Sequence, residues 1–467
     1  MRYWIACFAA LMMTPVWALG LPVSVSKALR DAGIDADAVG VMVQQVDSVK
    51  PLILQNAGHA MNPASTMKLL TTSAALELLG PAYTWHTDLL SAAKLQDGVL
   101  DGDLYIKGYG DPALTQERFW ALLHDLRVNG VREIHGNLIL DHGFFDVPEA
   151  DPGDFDGQSD RAYNALPDAL LVNFKATNFI FRPDGDRIRV IADPDMPALQ
   201  IINKVQAGNV ACDNWKDNIT RVIQHQGSEV SVTFSGDYAL ACGEKSLELS
   251  LFDSTSYTAQ LFAQYWRELG GSVQGITKSG ETPPTARLLA RSVSLPVADV
   301  VRLVNKNSNN VMARQILLTL GAEHGGAPGN VDNGAAAIHA WLIANGGDFN
   351  ELVIENGAGL SRNERISTQH MGELLLRAWR HASMPELMSS LPIAGVDGTM
   401  ALRLRNSSAA GQAHIKTGSL DGVKSMAGYM LDAQGRRWVV VFMVNHAKAA
   451  ASREAMDALL EWVYRQK

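Results

Sequence analysis

Short apolar runs and clusters of turn-forming residues alternate near the start of this chain. Residues 39–46 and 52–55 are rich in Val, Ile and Leu and are joined by a turn through Asp47 to Pro51, a pattern that predicts a β-hairpin. Asn62-Pro63 then opens a helical stretch over 64–79, where proline suits a first turn and Gly80-Pro81 ends the element. Ser65 falls on the first turn of that helix. From residue 83 to about 246 the pattern changes to strand-like runs (104–107, 137–140, 188–192, 230–234) separated by Gly, Asp and Pro turns, with few long helices. Within it, residues 144–160 are rich in Asp, Gly and Phe and predict an exposed loop. Helical spacing returns over 256–269, 297–304 and 311–320, where the chain is expected to rejoin its first domain. Near the end, runs at 414–417, 424–431 and 437–444 predict an antiparallel meander. The last element, 452–464, places Met456, Leu459, Leu460 and Val463 at helical spacing. It is expected to pack on the preceding sheet, with docking to a membrane surface as the alternative.

Composition narrows the class. The chain has 467 residues, 47% hydrophobic and 19% charged, which suits a globular protein of about three domains and excludes a disordered tail or a small disulfide scaffold. A net charge of -9 provides no basic field for a nucleic-acid backbone. Arg2, the apolar run 3–13 and the small residues of 14–20 read as a cleaved secretory signal, cut after Ala18 or after Gly20, with an uncleaved anchor as the alternative. Cys7 lies too near the start to be a lipoprotein cysteine. Once the signal is removed, Cys212 and Cys242 remain, and in an oxidising compartment they are expected to pair. Closing that loop contributes roughly 3 to 4 kcal/mol in the chain-entropy model. No close cysteine spacing suggests a zinc site, and no metal or cofactor is expected.

The chemistry that remains is that of serine and lysine. No H-E-x-x-H and no G-x-S-x-G occurs, and Gly108-Tyr109-Gly110-Asp111-Pro112-Ala113 reads as a structural turn rather than a dinucleotide loop. Ser65 and Lys68 form S-x-x-K on a helix, so the amine can reach the hydroxyl and serve as its base if its pKa is lowered. Ser24/Lys27 and Ser91/Lys94 match the same pattern, but only Ser65 follows a hairpin and begins a long apolar helix. Ser308-Asn309-Asn310 lies between two predicted helices, and Lys416-Thr417-Gly418 lies on the first strand of the meander. The competing matches, Ser361-Arg362-Asn363 and Lys278-Ser279-Gly280, do not keep this order.

This ordered set resembles the penicillin-recognising serine acyltransferases. The 243 positions between Ser65 and Ser308 narrow the likeness to class C low-molecular-mass penicillin-binding proteins, the D-alanyl-D-alanine carboxypeptidase and endopeptidase family with a large insert after the nucleophile helix. Residues 108–112, 357–362 and 394–399 support it. The resemblance implies a β-lactamase/transpeptidase-like α+β catalytic domain, with an antiparallel sheet flanked by helices, split into 21–82 and 250–467. A strand-rich insertion of two nested lobes would occupy 83–249, behind a signal at 1–20. It implies a periplasmic peptidoglycan hydrolase acting on stem peptides and acylated by β-lactams, with no nucleic acid partner and no stable membrane span. A homodimer stays open. In this resemblance Ser65 is the acylated nucleophile, Lys68 its base, Ser308 a proton relay to the leaving amine and Asn310 an orienting amide. Lys416 and Thr417 hold the substrate carboxylate, Gly418 permits close approach, and the N–H groups of Ser65 and Ser419 form the oxyanion hole. Arg362 either shapes the site or braces the sheet, and the 144–160 loop is a candidate to meet the substrate's amino side chain. The alternatives are a β-lactamase or esterase on the same fold, or a non-catalytic peptidoglycan-binding module.

Overall fold

The computed structural model describes residues 20–466; apart from Gly20, the expected signal lies outside the described residues. At the centre is a five-stranded antiparallel sheet in the order Ala413–Leu420, Val423–Leu431, Arg437–Asn445, Val39–Gln45, Ile53–Gln55. The predicted hairpin and meander are therefore two parts of one sheet, joined where Val41 pairs with Phe442. Its inner strands are apolar on both faces because both are covered. Val41, Val43, Val440 and Phe442 point into one core with the helices Val23–Asp31 and Arg453–Tyr464. Met42, Val439, Val441 and Met443 point into the other, against Lys68–Leu78, Val297–Asn307, Asn310–Gly325 and Thr368–Arg380. Met456, Leu459, Leu460 and Val463 of the last helix are buried on the sheet, the first of the two expectations for that element. The strand carrying Lys416, Thr417 and Gly418 is the edge strand, bridged on its outer side to Ile393 at His414.

The inserted region holds a second five-stranded sheet (Thr277–Ser279, Leu138–Asp141, Leu104–Gly108, His86–Ser91, Arg287–Val293), a small four-stranded one and two of three strands. Cys212 and Cys242 are disulfide-bonded within it. The expected return to the first domain at residue 250 needs correction. The helix Ser254–Glu268 buries Tyr257, Leu261, Phe262 and Trp266 in the insertion's core, and Arg287–Val293 pairs with His86–Ser91. Only from the Val297–Asn307 helix onward do Val297, Val300, Val301 and Val304 join the first core. We propose a division into 21–82 with 297–467, and an insertion of 83–296. One long helix in the insertion, Gln116–Val128, has no counterpart in the sequence reading, although Phe119, Leu122, Leu123 and Leu126 recur on one face.

Candidate active site

The predicted helix at 64–79 starts as a 3-10 turn, Ala64–Met67, before the α-helix Lys68–Leu78. The Pro63 carbonyl holds the tight turn by accepting from Thr66 N at 3.2 Å, Thr66 Oγ1 at 2.7 Å and Ser425 Oγ at 2.5 Å. At three residues per turn, positions i and i+3 eclipse, so the turn sets Lys68 directly over Ser65. Lys68 Nζ lies 2.9 Å from Ser65 Oγ and 2.7 Å from Asn310 Oδ1, and it also donates to the Ala358 carbonyl.

Lys68 is completely buried. Burial foremost, then the Lys416 charge, hold its pKa well below that of an ordinary lysine; Glu364 opposes the shift and Arg314 adds to it. A neutral amine has two N–H donors and one lone pair. Asn310 Oδ1 and the Ala358 carbonyl accept from Lys68, while the Ser65 hydroxyl can accept from an ammonium or donate to the lone pair of a neutral amine, so the lowered pKa rather than the contact set favours the neutral form. The Asn310 amide is oriented to match, since its Nδ2 donates to the Tyr163 carbonyl at 3.2 Å. Glu364, itself buried and raised in pKa by that burial, accepts the N–H groups of Glu355, Asn356 and Gly357 on one oxygen, at 3.1, 2.9 and 2.9 Å. It thereby shapes the loop that offers the Ala358 carbonyl to Lys68.

Ser308 occupies the junction between the helices Val297–Asn307 and Asn310–Gly325, in the left-handed region at φ 56°. Asn309 caps the second helix by accepting from Met312 N at 2.9 Å, and Asn310 begins it. Lys416, also fully buried, donates to Ser308 Oγ and to the Thr417 carbonyl, both at 2.8 Å, and burial pushes its pKa down to about 7. Thr417 Oγ1 meets Thr399 Oγ1 at 2.8 Å, and Ser419 Oγ accepts from Lys424 Nζ at 2.6 Å. Gly418 is required by space: a Cβ there would sit 2.2 Å from Ser425 Oγ and 2.8 Å from Ser65 N. A cavity of about 590 Å³ is lined by Ser65, Ser308, Thr417, Gly418 and Ser419.

All eight predicted site residues thus gather around this cavity or its buried floor. Arg362 does not line the cavity; its guanidinium is 4.7 Å from the Phe155 ring centroid and donates to the Asp421 carbonyl at 2.9 Å. The competing motif matches lie elsewhere: Lys27 pairs with Asp31 on an exposed helix face, Ser91 donates to the Asp103 carbonyl at 2.7 Å, Ser361 bonds Glu355, and Lys278 is on the exposed strand Thr277–Ser279. Thr399, Ser425 and Glu364 were not singled out from sequence. Only Thr399 had a signal, as the last residue of the 394–399 stretch.

An edge strand carrying Lys-Thr-Gly beside a serine at the cavity wall and its buried lysine defines the β-lactamase/transpeptidase-like class of fold. The sequence matches the D-Ala-D-Ala carboxypeptidase 3 (S13) family over residues 21–466, and the chain belongs to that family of serine-type D-Ala-D-Ala carboxypeptidases. It is 27% identical to the D-alanyl-D-alanine carboxypeptidase DacB of Haemophilus influenzae over 87% of this chain and 85% of that one. It is 28% identical to the D-alanyl-D-alanine carboxypeptidase of Actinomadura sp. strain R39, covering 87% and 78% respectively. The crystal structure of penicillin binding protein 4 from Haemophilus influenzae superposes with a TM-score of 0.79 at 24% identity, over 95% of this chain and 100% of that one. The same protein complexed with a novel β-lactam superposes at 0.76 with 25% identity.

Proposed function

We propose that this carboxypeptidase works through a Ser65 acyl-enzyme, cleaves D,D-peptide cross-links as well as terminal D-alanine, and is acylated by β-lactams at the same serine. One observation carries the reading: the buried Lys68 amine, neutral by its surroundings, is 2.9 Å from Ser65 Oγ. In the first step the Ser65 proton passes to Lys68 as Oγ bonds the substrate carbonyl carbon. The N–H groups of Ser65 and Ser419 receive the oxyanion, and Lys416 and Thr417 receive the terminal carboxylate. When the C–N bond breaks, the leaving nitrogen takes a proton from Ser308, which regains one from Lys416. Lys68 is then one proton richer and Lys416 one poorer, and return of that proton resets the site. Hydrolysis of the ester completes the cycle.

A contact between the 144–160 loop and the side chain of the acyl-donor peptide is supported only by the stacking of Arg362 on Phe155 of that loop. The β-lactam complex of the Haemophilus relative supports the inhibitor reading. A periplasmic site of action accords with the sequence-predicted signal and with a cell-wall family; among the described residues no helix is long and apolar enough to cross a membrane. The test is labelling with a fluorescent penicillin, together with mass analysis of a digested muropeptide mixture. Wild-type protein is expected to label, to remove one alanine from pentapeptides and to release monomers from dimers, whereas Ser65→Ala does none of these. A Ser65→Ala protein that still labels would sink the assignment.

A further inference from the structure

Ser308 lines two cavities. One is the site already described; the other, of about 560 Å³, opens from Ser308 and Asn310 between the catalytic domain and the insertion. Its far wall is a three-stranded sheet, Arg187–Asp193, Thr177–Asp184, Lys245–Leu249, in which Asn178 pairs with Asp193 on one side and with Glu248 on the other. The register sets the three side chains in one row across the strands, and all three line the cavity. Among the described residues, Asn178 Oδ1 is buried without a hydrogen-bond partner. Asp193 and Glu248 are exposed and so offer negative charge to whatever enters, while Asn178 sits between them in the row.

We propose that this second cavity holds the leaving strand of a cross-linked stem-peptide dimer, bound through its N–H donors by Asp193 and Glu248. The inference rests on the endopeptidase reading above. Ser308, as the group that protonates the leaving nitrogen, marks the side on which the departing fragment lies. A departing D-alanine would fill only a small part of the space beyond Ser308, whereas a cross-link leaves a whole peptide there. Contacts to that remote peptide act on cross-link cleavage without touching the shared acylation chemistry. Neither carboxylate contacts Ser65, Lys68 or Lys416, which separates this wall from the catalytic groups.

The test compares Glu248→Ala, the double variant Asp193→Ala/Glu248→Ala, and Glu248→Arg, which projects a long cation into the cavity. Each is assayed on a cross-linked muropeptide dimer, on a monomeric pentapeptide and by the rate of penicillin acylation. Expected is a fall of about tenfold or more in kcat/KM for the dimer, largest for Glu248→Arg, with pentapeptide cleavage and acylation within about twofold of wild type. Variants that cleave the dimer like wild type would overturn the leaving-strand site while leaving the proposed endopeptidase in place. Equal losses on dimer and pentapeptide would also overturn it, by making the row a structural brace. Wild-type protein that trims pentapeptide but leaves dimers intact would overturn the endopeptidase reading, and this site with it.

Discussion

Lys416 Nζ and Ser308 Oγ lie 2.8 Å apart, although 108 positions separate them in the chain. The contact ties the edge strand of the central sheet to the junction of two helices. That junction is held from below as well, since Lys306 Nζ pairs with Asp397 at 2.6 Å and donates to the Leu391 carbonyl at 2.6 Å. Ser308 makes its contact from a left-handed backbone, a conformation that costs a non-glycine residue about 1–2 kcal/mol.

Ser308 therefore has a backbone role and a hydroxyl role that two substitutions separate. Ser308→Ala removes the hydroxyl and keeps the strain; Ser308→Gly removes both. Both are expected to slow penicillin acylation by about 100-fold or more, as for loss of a proton-transfer group. Ser308→Gly should nonetheless be the more stable of the two by about 1 kcal/mol, read from urea denaturation midpoints. The reverse order would contradict the strain assigned here.

Lys68 is buried among acceptors, so Lys68→Met should act oppositely on activity and on stability. Removing the proposed base is expected to lower the acylation rate by about 10³-fold or more. Because methionine fills a similar volume and needs no desolvated amine, the melting temperature should stay level or rise. A variant that melts well below wild type would show that the amine's hydrogen bonds outweigh its burial.

Gly418→Ala tests the close approach of the edge strand to Ser65. With Ser425 Oγ 2.2 Å and Ser65 N 2.8 Å from the added methyl position, the strand must move outward. The expected result is a loss of about 100-fold in acylation rate, from displacement of the Ser419 N–H, with a smaller effect on melting. Wild-type acylation by this variant would remove Gly418 from the site.

Much of this arrangement was legible in the sequence, for reasons that particular residues make clear. The hairpin and meander carry strand patterns that survive in isolation, and Ser65, Ser308 and Lys416 keep both their order and their spacing along the chain. What the pattern hid depends on tertiary pairing. Ser254–Glu268 has an apolar face like any other helix, and nothing local says that Tyr257 and Trp266 turn to the insertion rather than to the central sheet. The 3-10 start at Ala64–Met67 follows from the Pro63 carbonyl accepting Ser425 Oγ, a partner 362 positions away. Glu364 was equally hidden, because its value lies in three backbone N–H groups that only the folded loop brings together.

The low pKa of Lys416 makes opposite demands on stability and on activity as pH rises. Burial holds the folded-state value near about 7, against 10.5 for an ordinary lysine. Below pH 7 the amine is protonated in both folded and unfolded chains, and the cost of burying the charge is present in full. Between about 7 and 10.5 the unfolded chain binds the extra proton, so this group makes stability increase with pH. Comparing wild type with Lys416→Met isolates its contribution: the difference in unfolding free energy should shift in favour of wild type by up to about 3 kcal/mol between pH 7 and 9.5. Activity should run the other way. The cation proposed to receive the substrate carboxylate is lost through the same range, so kcat/KM for pentapeptide is expected to fall above about pH 7, while Lys68, neutral in the proposed mechanism, limits the acid side. A stability difference that is flat across this range, or a rate that climbs steadily to pH 9.5, would mean that Lys416 keeps its proton in the folded enzyme.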